Sequence, residues 1–307
     1  MNLLKIFKTK LFNSEFMENN FYKYNSNANY FKSNSINVQN AFNILTKELK
    51  YSLSFDKQNN NSKLSIIIPV FNNFEYTMAC LFSIKCSIHN IDYEIIIADD
   101  NSTDETKKIE KYVQGITHIR NDRQMGFLEN VNNAVKSAKG EYIVLLNNDM
   151  ILQDNCVNEM LKTVENDKSI GICGAEILNI DGKIQETGGK ILKNGDTLWI
   201  NNQKNQNDIE CQNLIECDYC SGCSILLKKT NWEKIGGFDS IYAPAYYEDT
   251  DLCMKVRYDL NLRVVCEPRA KIYHFHNISY KSKMNDLINH NKIKFYNKWK
   301  DKWKNKD

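Results

Sequence analysis

Gly140-Glu-Tyr-Ile-Val-Leu-Leu-Asn-Asn-Asp149 is the stretch on which the fold turns. It is a short apolar run that stops abruptly at two amides and a carboxylate. A run of this length and composition fits a strand covered on both faces, as in the middle of a parallel sheet. In open α/β sheets ligands bind just beyond the carboxyl ends of the strands, which is where Asp149 falls. With no cation nearby in sequence, its carboxylate is placed to bridge through Mg²⁺ or Mn²⁺ to a diphosphate. The competing reading makes Asp149 the cap of the next helix.

Upstream, Leu64–Val70 reads as a strand, followed by Asn72-Asn73, a helix striped by Leu81, Ile84 and Ile88, and a strand over residues 93–98. That is a βαβ unit. In the polar loop Asp99-Asp-Asn-Ser-Thr-Asp-Glu105, Ser102 and Glu105 have capping-box spacing, which predicts a helix through Ile109, Tyr112 and Val113. A strand over Thr117–Arg120 leads through Met125-Gly-Phe127 to a helix faced by Leu128, Val131, Val135 and Ala138. Downstream of Asp149 a helix striped by Val157, Met160, Leu161 and Val164 starts at Asp154, and a strand follows at 170–175. This alternation predicts an α/β, doubly wound, mostly parallel sheet over residues 63–175. Asp99 and Asp100 then end one strand and Asp149 another, on the same ligand-binding edge.

From Glu176 the pattern becomes α+β. Lys193-Asn-Gly-Asp196 predicts a hairpin with a type I′ turn. Thr230 and Glu233 form a second capping box, ahead of Gly236-Gly-Phe-Asp239. Tyr246-Tyr-Glu-Asp-Thr-Asp-Leu252 puts acids at the start of a helix carrying Leu252, Val256 and Leu260, and two short strands at 262–266 and 270–275 finish the domain. Three segments result. Residues 1–62 are an Asn-rich extension with an amphipathic helix at 38–53 and a linker at 59–62, residues 63–280 are the main domain, and residues 281–307 are a basic, aromatic helix. The last carries Phe295, Tyr296, Trp299 and Trp303 at near-helical spacing, which suits docking on the domain better than lying on an anionic membrane surface.

With 307 residues, 42% of them hydrophobic, the chain can bury a sizeable core. A net charge of +2 gives no global reason to expect nucleic acid. No apolar run is long enough to span a bilayer, and lysines interrupt the N-terminus before a signal-peptide core can form, so the expected location is the cytosol or the inner face of the cytoplasmic membrane. Ten cysteines, mostly inside predicted strands and helices, read as free thiols. Cys211, Cys217, Cys220 and Cys223 have zinc-like spacing but run straight into the strand-like Ser224-Ile-Leu-Leu227 without forming paired knuckles.

Taken in order, Ser65-Ile-Ile-Ile-Pro-Val-Phe-Asn72, Asp99-Asp-Asn-Ser-Thr-Asp104, Gly140-Glu-Tyr-Ile143, Asn147-Asn-Asp149, Gly236-Gly-Phe-Asp239 and Tyr247-Glu-Asp-Thr-Asp251 resemble the family 2 glycosyltransferases, most closely rhamnosyltransferase-like bacterial members. The resemblance covers residues 63–280. It implies the GT-A fold, a nucleotide-binding α/β half joined to an α+β acceptor half, and inverting transfer of a sugar from a nucleotide-diphosphate donor to a saccharide or lipid-linked saccharide hydroxyl in bacterial surface polysaccharide synthesis. Pro69, Val70 and Phe71 match the loop that holds the base. Asp100, with Asp99 beside it, matches the acid that reads the pyrimidine ring. Asn147, Asn148 and Asp149 occupy the Asp-x-Asp motif, with Asp149 as ligand of Mg²⁺ or Mn²⁺. Asn147 departs from the motif, because an amide can bond a ribose hydroxyl but brings no charge to the metal.

Asp249 matches the general base, with Glu248 as its neighbour; an acceptor hydroxyl is a poor nucleophile until a carboxylate takes its proton. The helix dipole should lower the pKa of Asp249 and nearby phosphates oppose that. His274 matches a further metal ligand, with His276 two residues on and pointing the same way. Asp218-Tyr-Cys-Ser-Gly222 matches a segment near the acceptor entrance. Trp232, Tyr246 and Tyr247 are either sugar-stacking or core residues. Two rival readings remain: a sugar-nucleotide-binding protein without catalysis, suggested by Asn147, and a nucleotidyltransferase, which would need a Gly-rich, basic triphosphate loop that the first strand lacks. Nothing in the sequence indicates an oligomeric state.

Overall fold

The computed structural model describes residues 53–56, 62–208, 213–275 and 284–302. The extension up to residue 52, the linker at 59–61, Cys211, His276 and Trp303 lie outside the described residues. The nucleotide half runs β1 (Leu53–Ser54), β2 (Leu64–Val70), α1 (Phe74–Ser87), β3 (Tyr93–Asp99), β4 (Val113–Gln114), β5 (Thr117–Arg120), α2 (Phe127–Val135) and β6 (Tyr142–Leu146). It continues as β7 (Met150–Leu152), α3 (Cys156–Asn166) and β8 (Ile170–Leu178). The second half holds β9 (Ile184–Glu186), β10 (Gly189–Ile191), β11 (Thr197–Trp199), β12 (Ile215–Glu216), β13 (Ser224–Lys228), α4 (Lys229–Ile235), α5 (Glu248–Tyr258), β14 (Arg263–His274) and α6 (Met284–Trp299).

The main sheet has the order β12-β14-β8-β13-β6-β2-β3-β5. Strands β5, β3, β2 and β6 are parallel neighbours, and β14 is parallel to β8. Between β6 and β8 lies β13, antiparallel to both. The carboxyl ends of β2, β3 and β6 therefore share one edge, and the second half of the chain is stitched into the same sheet. Pro69 lacks an N–H; it lies beyond Ile67, where the pairing of β2 with β6 stops.

Both faces are covered. Ile66, Ile68, Ile95, Ile97, Val144 and Leu146 pack toward one apolar layer with Leu81 and Ile84 of α1 and Val157 and Met160 of α3. Their neighbours Ile67, Ile96, Ile143 and Leu145 pack toward the other, with Leu128 and Val131 of α2, Leu252 and Val256 of α5, and Phe295 and Trp299 of α6. The alternation follows from the two-residue repeat of a strand and explains why these runs are continuously apolar.

Several local expectations are corrected. Ser102 does not cap a helix: its hydroxyl accepts from Asn72 N at 2.8 Å, and Asp104 caps a 3₁₀ segment, Glu105–Lys111, by accepting from Thr106 N at 2.9 Å. Tyr112 and Val113 lie beyond it, Val113 in β4. Helix α4 starts from Lys228 without a side-chain cap, so Thr230 and Glu233 form no capping box. The hairpin β10–β11 is present, but only Gly195 of Asn194-Gly195 has positive φ, +83°. Leu192 N and Asp196 O close the turn at 2.8 Å around three residues, which replaces the type I′ turn by a glycine-terminated one. The last two predicted strands are one strand, β14, whose register slips between Glu267 and Lys271. Helix α6 docks on the domain: Phe295 is fully buried against the Tyr247 ring, 5.3 Å between centroids, and Trp299 is buried too.

Candidate active site

The strand edge brings the nucleotide-side residues together first. Asp100 N donates to Val70 O at 2.8 Å, closing the ends of β2 and β3. The side chains of Pro69 and Val70 are buried while Phe71 is half-buried, so what the first two present at the edge is mainly backbone. Asp100 braces the next loop, accepting from Met125 N at 2.7 Å, Asn121 Nδ2 at 3.0 Å and Gly126 N at 2.9 Å. Asp99 is more deeply committed. Its carboxylate accepts from Ser102 N at 2.7 Å and is held by His118 at 3.3 Å and by Arg120. Burial pushes its pKa up, yet the hydrogen bonds from His118, Ser102 and Arg120 outweigh that and bring it to about 2.

Gly126 carries the connection to the second half. It has φ of +87°, and a Cβ there would come within 2.6 Å of Pro244 Cβ, so only glycine lets the 243–247 loop approach. That loop ends in Tyr246 and Tyr247, with φ of +76° and +72°, a region that bulky residues rarely adopt. Asn291 of α6, fully buried, holds it by donating to the carbonyls of Tyr242, Ala245 and Tyr246 at 2.8–3.1 Å. The loop delivers Glu248 and Asp249 to the first turn of α5.

Asp249 is held firmly. Its Oδ2 accepts from Gly222 N at 2.9 Å and its Oδ1 from Thr250 N at 2.6 Å and Thr250 Oγ1 at 3.2 Å. A Cβ on Gly222 would lie 3.1 Å from Asp249 Cβ, so the predicted acceptor-side segment and the predicted base touch. Burial raises the pKa of Asp249 above the ordinary aspartate value although those hydrogen bonds pull it down; burial therefore wins over the dipole expected from the helix start. Glu248 is raised much further, by burial and then by Asp249, and its Oε2 has no hydrogen-bond partner.

One residue beyond Gly222, Cys223 O accepts from Asn147 N at 3.0 Å. Asp249 and the Asn147-Asn148-Asp149 turn thus flank one short segment, and burial, Glu186, Asp149 and Asp249 all push the Cys223 thiol up. Asn148 Nδ2 donates to Thr77 Oγ1 at 3.0 Å, while Asn147 Oδ1 and Asp149 Oδ1 are buried with no hydrogen-bond partner. Strand β7 pairs with β14 so that Met150 lies opposite His274, and Phe275 N donates to Asp149 O at 3.0 Å. His274 Nε2 comes within 3.5 Å of Asp149 Oδ2.

This pair suits a divalent cation. A buried carboxylate oxygen without a donor beside an imidazole is a ligand arrangement, and hard cations of this kind are held by one or two protein groups plus substrate phosphates and water. Among the described residues no three His, Cys, Asp or Glu side chains gather as a metal cage, so a cation here would draw its remaining ligands from the donor.

Sequence reasoning missed Glu186. It is 1% exposed on β9, with no side-chain donor bonded to its carboxyl group. Burial, then Asp249, raise its pKa to about 8 against a bond from the Ser221 backbone. A lone Glu on a three-residue strand carries no motif, and only the fold reveals its neighbours. Because its folded pKa lies above the ordinary 4.5, folding favours the protonated form: the native state is favoured most below about pH 4.5, and this contribution is lost as pH rises through about 8. Glu186→Gln, always neutral, should therefore gain in Tm relative to wild type between pH 5 and 9, read by thermal unfolding; a pH-independent difference would show that Glu186 does not titrate there.

The other residues singled out have structural places. Trp232 is core, 5.0 Å from the Phe238 ring centroid, Tyr247 is buried, and Tyr246 is half-buried. Asp218 bonds Arg257 Nη1 at 2.7 Å and Ile191 N at 2.9 Å. Cys217 and Cys220 are buried with their sulfurs 3.4 Å apart.

This sheet, with acidic residues at its carboxyl edge and a second half threaded through it, is the GT-A fold of glycosyltransferases. The family described as Glycosyl transferase family 2 matches residues 65–233, and the chain belongs to that family. An uncharacterized glycosyltransferase of Rickettsia typhi is 28% identical over 75% of this chain and 67% of its own. An uncharacterized protein of Sinorhizobium fredii is 24% identical over 70% of this chain, which spans only 25% of that protein's length. The poly(ribitol-phosphate) beta-N-acetylglucosaminyltransferase TarP of Staphylococcus aureus is 28% identical over 43% of this chain and 42% of its own. Among solved structures, GalNAc-T7 with UDP, GalNAc and Mn²⁺ superposes with a TM-score of 0.64 at 15% identity, over 79% of this chain and 50% of that one. The mannosyltransferase PcManGT of Pyrobaculum calidifontis, with GDP-Man and Mn²⁺, gives 0.52 at 14% identity, over 82% and 67%.

Proposed function

We propose that this protein is an inverting glycosyltransferase that moves a sugar from a nucleotide-diphosphate donor to a hydroxyl of a saccharide or lipid-linked saccharide acceptor. The observation that carries the reading is the placing of Asp249 and the Asp149–His274 pair on either side of Gly222-Cys223. Pro69, Val70, Phe71 and Asp100 would hold the base from the neighbouring strand ends, Asp99 would brace that loop, and Asn147 and Asn148 would bond the ribose and the turn. Asp149 and His274 would hold Mg²⁺ or Mn²⁺, which when bound would neutralise charge on the departing diphosphate. Asp249 would take the acceptor proton as its oxygen attacks the anomeric carbon opposite the leaving group, with no covalent intermediate. Glu248, buried beside it, would keep that end of the cleft dry.

Support for the donor class comes from the nucleotides held by the two solved relatives in fold, and TarP supports an acceptor in bacterial surface polymers. We take residues 63–280 as the catalytic domain, 1–62 as an extension and 281–307 as a C-terminal segment whose helix α6 docks on the domain. Among the described residues no helix is long and apolar enough to cross a membrane, and a cytoplasmic site of action at the inner membrane face fits a lipid-linked acceptor. The test is a screen of nucleotide sugars for thermal stabilisation in the presence of Mn²⁺, then Asp149→Ala with the best donor. The variant should lose the Mn²⁺-dependent part of the shift; an unchanged Mn²⁺ titration would take the metal away from Asp149.

A further inference from the structure

Next to the missed Glu186 stands a second residue without a motif. Strand β8 is flanked near its end by β14 on one side and β9 on the other, with Ile177 paired both to Ile272 and to Glu186. Beyond that point two side chains 89 residues apart in sequence meet: Gln185 Oε1 lies 3.0 Å from His274 Nδ1. Gln185 is 3% exposed, and its backbone is fixed in turn by Asn202 Nδ2, which donates to Gln185 O at 2.6 Å.

We infer that Gln185 is a positioning residue that holds His274 in the Nδ1–H tautomer and so turns the Nε2 lone pair toward Asp149. A carboxamide oxygen only accepts, so the ring nitrogen facing it must carry the hydrogen, and in a neutral imidazole the other nitrogen is then an acceptor. That acceptor stands 3.5 Å from a carboxylate oxygen of Asp149, whose second oxygen is buried without a donor. Two electron-pair donors facing each other repel unless a cation lies between them. Outer hydrogen bonds of this kind fix the tautomer and ring orientation of metal-binding histidines. The inference deepens the proposed function and rests on its reading of Asp149 and His274.

The test separates the two. In the full chain labelled with ¹⁵N-histidine and free of metal and donor, long-range ¹H–¹⁵N correlation reads the tautomer of each ring, with His274→Ala assigning the signal. His274 should be the Nδ1–H form in the wild type, and an Nε2–H form would overturn the inference without any variant having to fold. In Gln185→Leu the signal should move to the Nε2–H form or a mixture, and Mn²⁺-induced broadening of His274 should need about ten- to a hundredfold more Mn²⁺. A tautomer and a titration both unchanged in Gln185→Leu would also overturn it. If the tautomers behave as expected but Mn²⁺ broadens His274 in neither protein, the metal reading fails and the tautomer assignment stands.

Discussion

Asp249→Asn should abolish most of the transfer, with kcat falling at least about a hundredfold while donor binding is retained. The asparagine preserves shape, and its single oxygen can still accept from Thr250 N and Oγ1, so α5 should start where it does now, while its amide NH2 replaces the oxygen that accepts from Gly222 N. What it cannot do is take a proton from an acceptor hydroxyl. A second signature follows from electrostatics. Burial raises the carboxyl of Asp249 above the ordinary aspartate range, so the wild-type rate should fall on the acid side at a pH higher than a free aspartate would give. That limb should be missing from the residual activity of the variant. Steady-state rates over a pH series, with donor affinity measured separately, check both; near-normal turnover would remove Asp249 from the chemistry.

Asp251→Ala should be the most damaging substitution for stability, although Asp251 lies only two residues from Asp249 in the first turn of α5. Asp251 is fully buried and gathers Trp299 Nε1 at 2.7 Å, Tyr242 OH at 3.1 Å and Lys298 Nζ at 2.8 Å. Lys298 also reaches Asp239 at 2.7 Å, and Lys255 lies 3.5 Å from Asp251. Removing one side of a buried ion pair leaves uncompensated charge and unpaired donors, costing about 3–5 kcal/mol. In a chain of this size that is a drop in Tm on the order of 10 °C. Because α6 is held to α5 through this residue, limited proteolysis should cut near residue 284 earlier than in wild type. Asp239→Ala, which removes the more exposed partner of Lys298 and the cap that accepts from Ile241 N, should cost far less, and equal losses in the two variants would show that the buried network is not what holds the tail.

The tail also illustrates how far the sequence could be read. The stripe of Phe295, Tyr296 and Trp299 pointed to a packing helix, and Phe295 and Trp299 are buried. It did not reveal that Asn291 would hold the loop carrying Glu248 and Asp249, because that bond joins residues 45 or more apart. Local capping signals fared worst. Ser102 and Thr230 have the right neighbours for capping boxes, yet Ser102 is recruited by Asn72 across the strand ends and α4 begins earlier, at Lys229. Capping energies of about 1 kcal/mol are easily outbid by loop packing.

What the sequence determined by itself was everything written in short-range pattern: continuously apolar strands, helices with one apolar stripe, their alternation, and acidic residues where strands stop. Those features fix an α/β sheet and the edge where its acidic residues gather, because burial and backbone hydrogen bonding depend on periodicity within a few residues. Only the tertiary structure decided that β13 inserts antiparallel between β6 and β8, that Gly222-Cys223 joins Asp249 to the Asn147–Asp149 turn, and that Gln185 and Glu186 stand beneath the site. Those neighbours are chosen by which distant surfaces fill one core together, and no stretch of a dozen residues contains that choice.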